Sequence, residues 1–142
     1  MKKTFVILSF VLAISLGFAQ NKDTQVADRL FKRFEFISAA ESYLKLVSSQ
    51  TADGYVYRQL ADCYYNIYNT KEAAKWYGKA IIQKQDAEVY YRYAQMLKAN
   101  GNYVESNKQM QKFASMVPND SRAKAFKENP NYVPKLLGKM KE

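Results

Sequence analysis

Tyr57-Arg58-Gln59-Leu60-Ala61-Asp62-Cys63-Tyr64, followed after a break by Ala73-Ala74-Lys75-Trp76-Tyr77-Gly78-Lys79-Ala80, is the stretch that decides the fold. Its apolar positions fall three and four apart, the period of one helix face. The pattern returns 33 residues later at Tyr90-x-x-Tyr93-Ala94-x-x-Leu97, and 34 residues earlier at Val26-Ala27-x-x-Leu30. Five registers agree across three copies: Ala27, Ala61 and Ala94; Leu30, Tyr64 and Leu97; Ala39, Ala73 and Ser106; Tyr43, Tyr77 and Met110; Leu46, Ala80 and Phe113. A unit repeated in this way buries its apolar face only against its neighbours, so the copies must stack.

Working outward, the pattern gives six helices, two per repeat, and no convincing strand: about 24–34 and 35–49, 55–68 and 71–84, 87–100 and 103–116. Asp53-Gly54 carries turn chemistry, and Asn69-Thr70 offers an N-cap. Gly101 stands where a helix must end in a left-handed residue. Pro118 closes the third repeat, and Asn119-Asp120-Ser121 caps a seventh helix over about 122–127 that covers the open apolar face. The repeats then occupy about 20–53, 54–86 and 87–120, the cap 121–128, and a basic tail or linker with Lys135, Lys139 and Lys141 fills 129–142.

Residues 1–19 have a different character. Lys2 and Lys3 precede an apolar run from Phe5 to Phe18, which ends in Gly17-Phe18-Ala19. That is the layout of a secretory signal peptide, with Gln20 as the expected mature N-terminus and no membrane span in the mature form. The chain has 22 basic and 13 acidic residues, a net charge of +9. Without Lys2 and Lys3 it carries 20 against 13, or +7. Export turns this basic balance away from nucleic acid and toward a solvated lysine surface or an anionic envelope surface. Cys63 is the sole cysteine, so no internal disulfide forms, and its register is that of a small buried hydrophobe.

These residues resemble the tetratricopeptide repeat (TPR) family over nearly all of the mature chain. The third copy adds Gly101-Asn102-Tyr103, Ser106, Met110, Phe113 and Pro118 to the motif. The resemblance implies an all-α TPR α-solenoid of three helix-turn-helix repeats plus a C-terminal capping helix. The first repeat has Phe34-Glu35-Phe36 where the family's glycine falls, and the second has Tyr68-Asn69-Thr70, so a tighter or shifted turn is expected in both. In this family the first helix of each pair lines a concave groove. Residue by residue, that places Asp28, Phe31 and Lys32, then Tyr55, Arg58, Asp62, Tyr65 and Asn66, then Tyr91, Gln95 and Lys98 on a partner-binding surface. The carboxylate clamp of heat-shock adaptors is not expected. Thr24 and Asp28 occupy its lysine and asparagine places in the first repeat, and Glu88 replaces a lysine in the third.

A narrower resemblance concerns layout. A signal peptide ending in Phe-Ala-Gln, three degenerate repeats and a Pro130-x-Tyr132 exit resemble the N-terminal part of certain Bacteroidota envelope proteins. In those, the repeats precede a β-propeller and a peptidoglycan-binding domain of the outer-membrane protein A (OmpA) type, and some serve type IX secretion.

With no histidine, one cysteine and no glycine-rich phosphate loop, the sequence offers no zinc set, Cys-His pair or nucleotide cradle. The expectation is a non-enzyme without cofactor or metal. It is a periplasmic, outer-membrane-associated scaffold that holds a protein or peptide in its groove, within an envelope complex. The alternative is attachment to anionic lipid or glycan through the basic face.

Overall fold

The structure is a computed structural model and describes residues 24–130. The expected signal peptide, and the tail from residue 131 onward, lie outside the described residues. Seven helices are present among them: α1 (Gln25–Lys32), α2 (Phe36–Ser48), α3 (Gly54–Asn66), α4 (Thr70–Ala80), α5 (Ala87–Ala99), α6 (Tyr103–Met116) and α7 (Ser121–Glu128). Each packs mainly on its sequence neighbours, and α3 also touches α5. This is the nearest-neighbour construction of a solenoid.

The helix starts follow from short polar side chains. Asp53 accepts from the Val56 amide at 3.0 Å, Asn69 from Glu72 at 3.3 Å, Asn102 from Glu105 at 3.4 Å and Asp120 from Arg122 at 2.8 Å. Each bond satisfies an amide that the first turn leaves without an intrahelical acceptor.

The ends follow one rule too. Glu35, Asn69 and Asn102 each donate their amide to a carbonyl five residues back, Leu30, Tyr64 and Leu97, at 2.9–3.0 Å. The residue before each donor is left-handed: Phe34 (φ 62°), Tyr68 (57°) and Gly101 (80°). The first two turns are therefore neither tighter nor shifted, contrary to the sequence expectation. They have the glycine turn's geometry, held by aromatic residues at a steric cost of about 1 kcal/mol each.

Two other expectations are corrected. Asp53-Gly54 is not a free turn: Asp53 caps α3 and Gly54 is its first, buried residue. A β-carbon there would lie 2.9 Å from the Gln83 β-carbon, so glycine is required by close approach. Helix α4 stops at Ala80 rather than 84, because Gln85 turns back to donate to the Ala80 carbonyl at 2.9 Å while Gln83 accepts from the Gly54 amide at 2.7 Å.

The core alternates small and large residues. Ala39, Ala61, Ala73, Ala80 and Ala94 are fully buried and let helices approach closely, while Tyr43, Leu60, Tyr77 and Phe113 fill the space between pairs. Helix α7 seats Ala123 on a cluster of Tyr90, Ala94, Met110, Phe113 and Ala114, which would otherwise be the solenoid's open end. No buried side-chain polar atom lacks a hydrogen-bond partner among the described residues.

Candidate partner-binding site

Three positions of the repeat build rungs where the first helix of a pair meets the second and the following repeat. In the first rung Tyr43 on α2 donates to Asp28 on α1 at 2.5 Å. Tyr55 on α3 donates to the same carboxylate oxygen at 2.8 Å, and Gln59 donates to the Tyr43 hydroxyl at 3.2 Å. In the second rung Tyr77 donates to Asp62 at 2.5 Å and Arg92 donates to the same oxygen at 3.0 Å. The third rung reads Gln95, Met110 and Phe126, so acid, tyrosine and reaching donor are all replaced.

That replacement leaves a cleft of about 380 Å³ between α5, α6 and α7. Tyr91, Tyr103, Met110 and Phe126 supply apolar and aromatic wall, while Gln95, Lys98, Asn107 and Asn129 supply polar groups. The side chains of Gln95 and Lys98 make no hydrogen bond or ion pair with any described residue. Arg122 at the rim lies 4.2 Å from the Tyr91 ring centre and 4.9 Å from that of Phe113. It is held there by Asp120 at 2.9 Å and Glu88 at 3.0 Å.

The residues expected on the groove divide into four groups. Asp28, Tyr55 and Asp62 are spent on the rungs; Asp62 is only 7% exposed. Phe31 stacks edge-on with Phe36 at 5.3 Å, and Tyr65 meets Tyr77 at 6.5 Å. Arg58 lies over Tyr55 and reaches Asp86, while Arg92 covers Tyr65 at 5.2 Å. Lys32 and Asn66 are exposed, and the Asn66 amide donates to the Asp62 carbonyl. Tyr91, Gln95 and Lys98 meet around the cleft between α5, α6 and α7, while Asp28 and Lys32 share a smaller one of about 230 Å³ with Gln25 and Arg29.

The α6 and α7 residues of the cleft were absent from the sequence expectation. The signal existed: α7 begins 34 residues after α5, as α5 begins 33 after α3, so the capping helix stands in the register of a first helix of the repeat. Glu88, which stands at a lysine place of the carboxylate clamp, is a half-buried member of α5 that bonds Arg92 and Arg122.

Burial sets the protonation of the rungs. Desolvation, then the bond to Asp28, raises Tyr43, and desolvation, then the Asp62 charge, raises Tyr77, both far above the ordinary 10.0. Burial and Asp28 push Tyr55 to about 12, and burial pushes the Cys63 thiol to about 12 from 9.0. Desolvation opposes the Arg92 charge, but Asp62 outweighs it and the guanidinium is raised. No cluster of three or more metal-ligating side chains occurs among the described residues.

These shifts fix a pH dependence. The folded chain keeps protons on Tyr43, Tyr55, Tyr77 and Cys63 where the unfolded chain has lost them. The unfolded state then binds fewer protons, so stability falls as pH rises. The contribution is complete below about pH 9 and declines through about pH 12. Urea unfolding across that range is expected to show the decline, and Tyr43→Phe/Tyr77→Phe to flatten it. An unchanged slope in the double variant would mean that the rung tyrosines do not carry it.

No protein-family model and no curated protein sequence matches the chain. Solved structures do. The C-terminal part of a TPR repeat-containing protein from Cytophaga hutchinsonii superposes with a TM-score of 0.61 at 23% identity, over 67% of this chain and 38% of that one. This chain therefore spans well under half of that structure. The first TPR of Spaghetti (RPAP3), bound to an HSP90 peptide, gives 0.62 at 16% identity over 84% and 91%. The Yersinia enterocolitica type III secretion chaperone SycD, in complex with a peptide of the translocator YopD, gives 0.59 at 16% over 84% and 89%. The fold is that of a TPR α-solenoid.

Proposed function

We propose that this TPR solenoid is a non-catalytic scaffold that binds a protein or peptide partner through its concave face, with the cleft between α5, α6 and α7 as anchor. One observation carries the reading: the third rung is open, and Gln95 and Lys98 stand in it without partners beside an aromatic wall. A cleft that mixes aromatic and apolar wall with several polar groups suits an extended segment that offers one apolar side chain next to an acidic or amide one. The neighbouring structures support this use, since RPAP3's repeat holds an HSP90 peptide and SycD a YopD peptide.

The setting we propose is the bacterial envelope, with the mature chain periplasmic and docked in an outer-membrane-associated, peptidoglycan-linked or secretion assembly. The support is the Lys2-Lys3 start, the apolar run and the Gly17-Phe18-Ala19 end. N-terminal sequencing of the protein from a periplasmic extract tests it. A start at Gln20 is expected, and an intact Met1 in the cytosolic fraction would contradict it.

For the groove, peptides selected from a random display library on the chain from Gln20 onward are to be titrated against Gln95→Ala/Lys98→Ala. These side chains support no internal bond, so stability should stay within about 0.5 kcal/mol. Affinity is expected to fall about tenfold to thirtyfold, a loss of about 1.4–2 kcal/mol. Unaltered affinity for every selected peptide would place the site elsewhere.

A further inference from the structure

The edge formed by the turns inside each helix pair has a composition that neither the core nor the cleft explains. Five of the nine large hydrophobic residues exposed among the described residues lie there: Phe34, Ile37, Ile67, Tyr68 and Val104. Phe34 and Tyr68 share the register of Gly101, and Ile37 shares that of Val104, so the ridge runs along the repeats. Adjacent turns touch, since Asn100 donates to the Thr70 carbonyl at 3.0 Å and pairs with its hydroxyl at 2.7 Å.

Two of these residues are held against a steric penalty. Phe34 and Tyr68 are 79% and 72% exposed and left-handed, a conformation that glycine adopts freely in the third repeat. The Phe34 ring meets that of Phe36 at 6.0 Å, edge to face. Neither aromatic is needed to make the turn, because Gly101 makes the same one. A bulky residue kept in a strained, exposed position points to a role outside the fold.

Charge identifies the occupant. Every acid at this edge is neutralised: Glu35 by Arg33 at 2.8 Å, Glu72 by Lys75 at 3.3 Å and Glu105 by Lys108 at 3.7 Å. Lys32, Lys71 and Lys98, one per repeat and all exposed, have no acidic partner among the described residues. The edge is thus an apolar and aromatic ridge with unbalanced positive charge beside it. Two copies meeting there would bring their lysines together, which disfavours a homodimer. From the aromatic ridge and the uncompensated lysines we infer that this edge docks on the headgroup layer of an anionic lipid bilayer, with Phe34 and Tyr68 inserted at the interface.

The test uses the chain from Gln20 onward and vesicles of equimolar phosphatidylglycerol and phosphatidylcholine, against pure phosphatidylcholine. The unaltered chain is expected to co-sediment with the anionic vesicles. Phe34→Gly/Tyr68→Gly should bind roughly tenfold more weakly while melting at the same or a higher temperature, because glycine relieves both turns. A Tyr68→Trp variant should shift its emission to the blue on those vesicles. Failure of the unaltered chain to bind would overturn the inference. So would undiminished, salt-sensitive binding by the double-glycine variant, which would assign binding to dispersed lysines. Self-association that the double-glycine variant abolishes, without vesicle binding, would assign the ridge to a second copy and equally overturn it.

Discussion

Asp62→Ala is expected to lower the unfolding free energy by about 3 kcal/mol, the lost Tyr77 bond and the Arg92 pair together. The Tyr77 hydroxyl, on a fully buried side chain, would lose the carboxylate that it bonds at 2.5 Å. Leaving a buried polar group unsatisfied costs about 1–3 kcal/mol. Arg92 would lose its 3.0 Å partner, but its side chain is 32% exposed and water offsets part of that loss. The melting temperature should fall by roughly 10–20 °C. Asp62→Asn, which still accepts from Tyr77, should lose less than half as much. Urea unfolding of the three proteins decides it: Asp62→Ala indistinguishable from the parent would mean that the second rung is not structural, and that Asp62 belongs with the binding residues.

Phe113→Ala should cost more, about 4 kcal/mol by the usual range for removing a buried aromatic. Phe113 is 1% exposed and joins three helices. Its ring centre lies 5.2 Å from that of Tyr91 on α5, and 4.9 Å from the guanidinium of Arg122 on α7. Because a solenoid unravels from its ends, the loss should fall first on α7. Limited proteolysis is expected to cut near Pro118 to Arg122 in the variant well before the parent, and peptide affinity should fall with it, since Arg122 and Phe126 leave the cleft. Equal protection of α7 in both proteins would show that the cap is held by something other than this cluster.

Much of the architecture was legible because it is periodic. The alanine registers at Ala27, Ala61 and Ala94 mark where backbones must approach, and Asn69 and Gly101 mark where helices begin and end. The chemistry of the inner face was harder to see. Asp62 and Tyr65 look like surface residues of an amphipathic helix. Nothing local shows that Tyr77, fifteen residues on, will bond the first, or that Arg92 from the next repeat will bond one and cover the other. The open cleft was hidden for a related reason, since it arises from three substitutions in one rung, Gln95, Met110 and Phe126, on three different helices. The exposed aromatic turns were visible only as missing glycines. It took the backbone to show that Phe34 and Tyr68 make the glycine turn anyway.

The most direct test of the scaffold reading is site-specific photocrosslinking in the native cell, with a benzoylphenylalanine placed at Gln95 in the cleft or at Lys45 on the outer helix α2. The expected result is a discrete adduct with one envelope protein from position 95 and none from position 45. An adduct from position 45 with none from position 95 would contradict it and move the binding surface to the convex face.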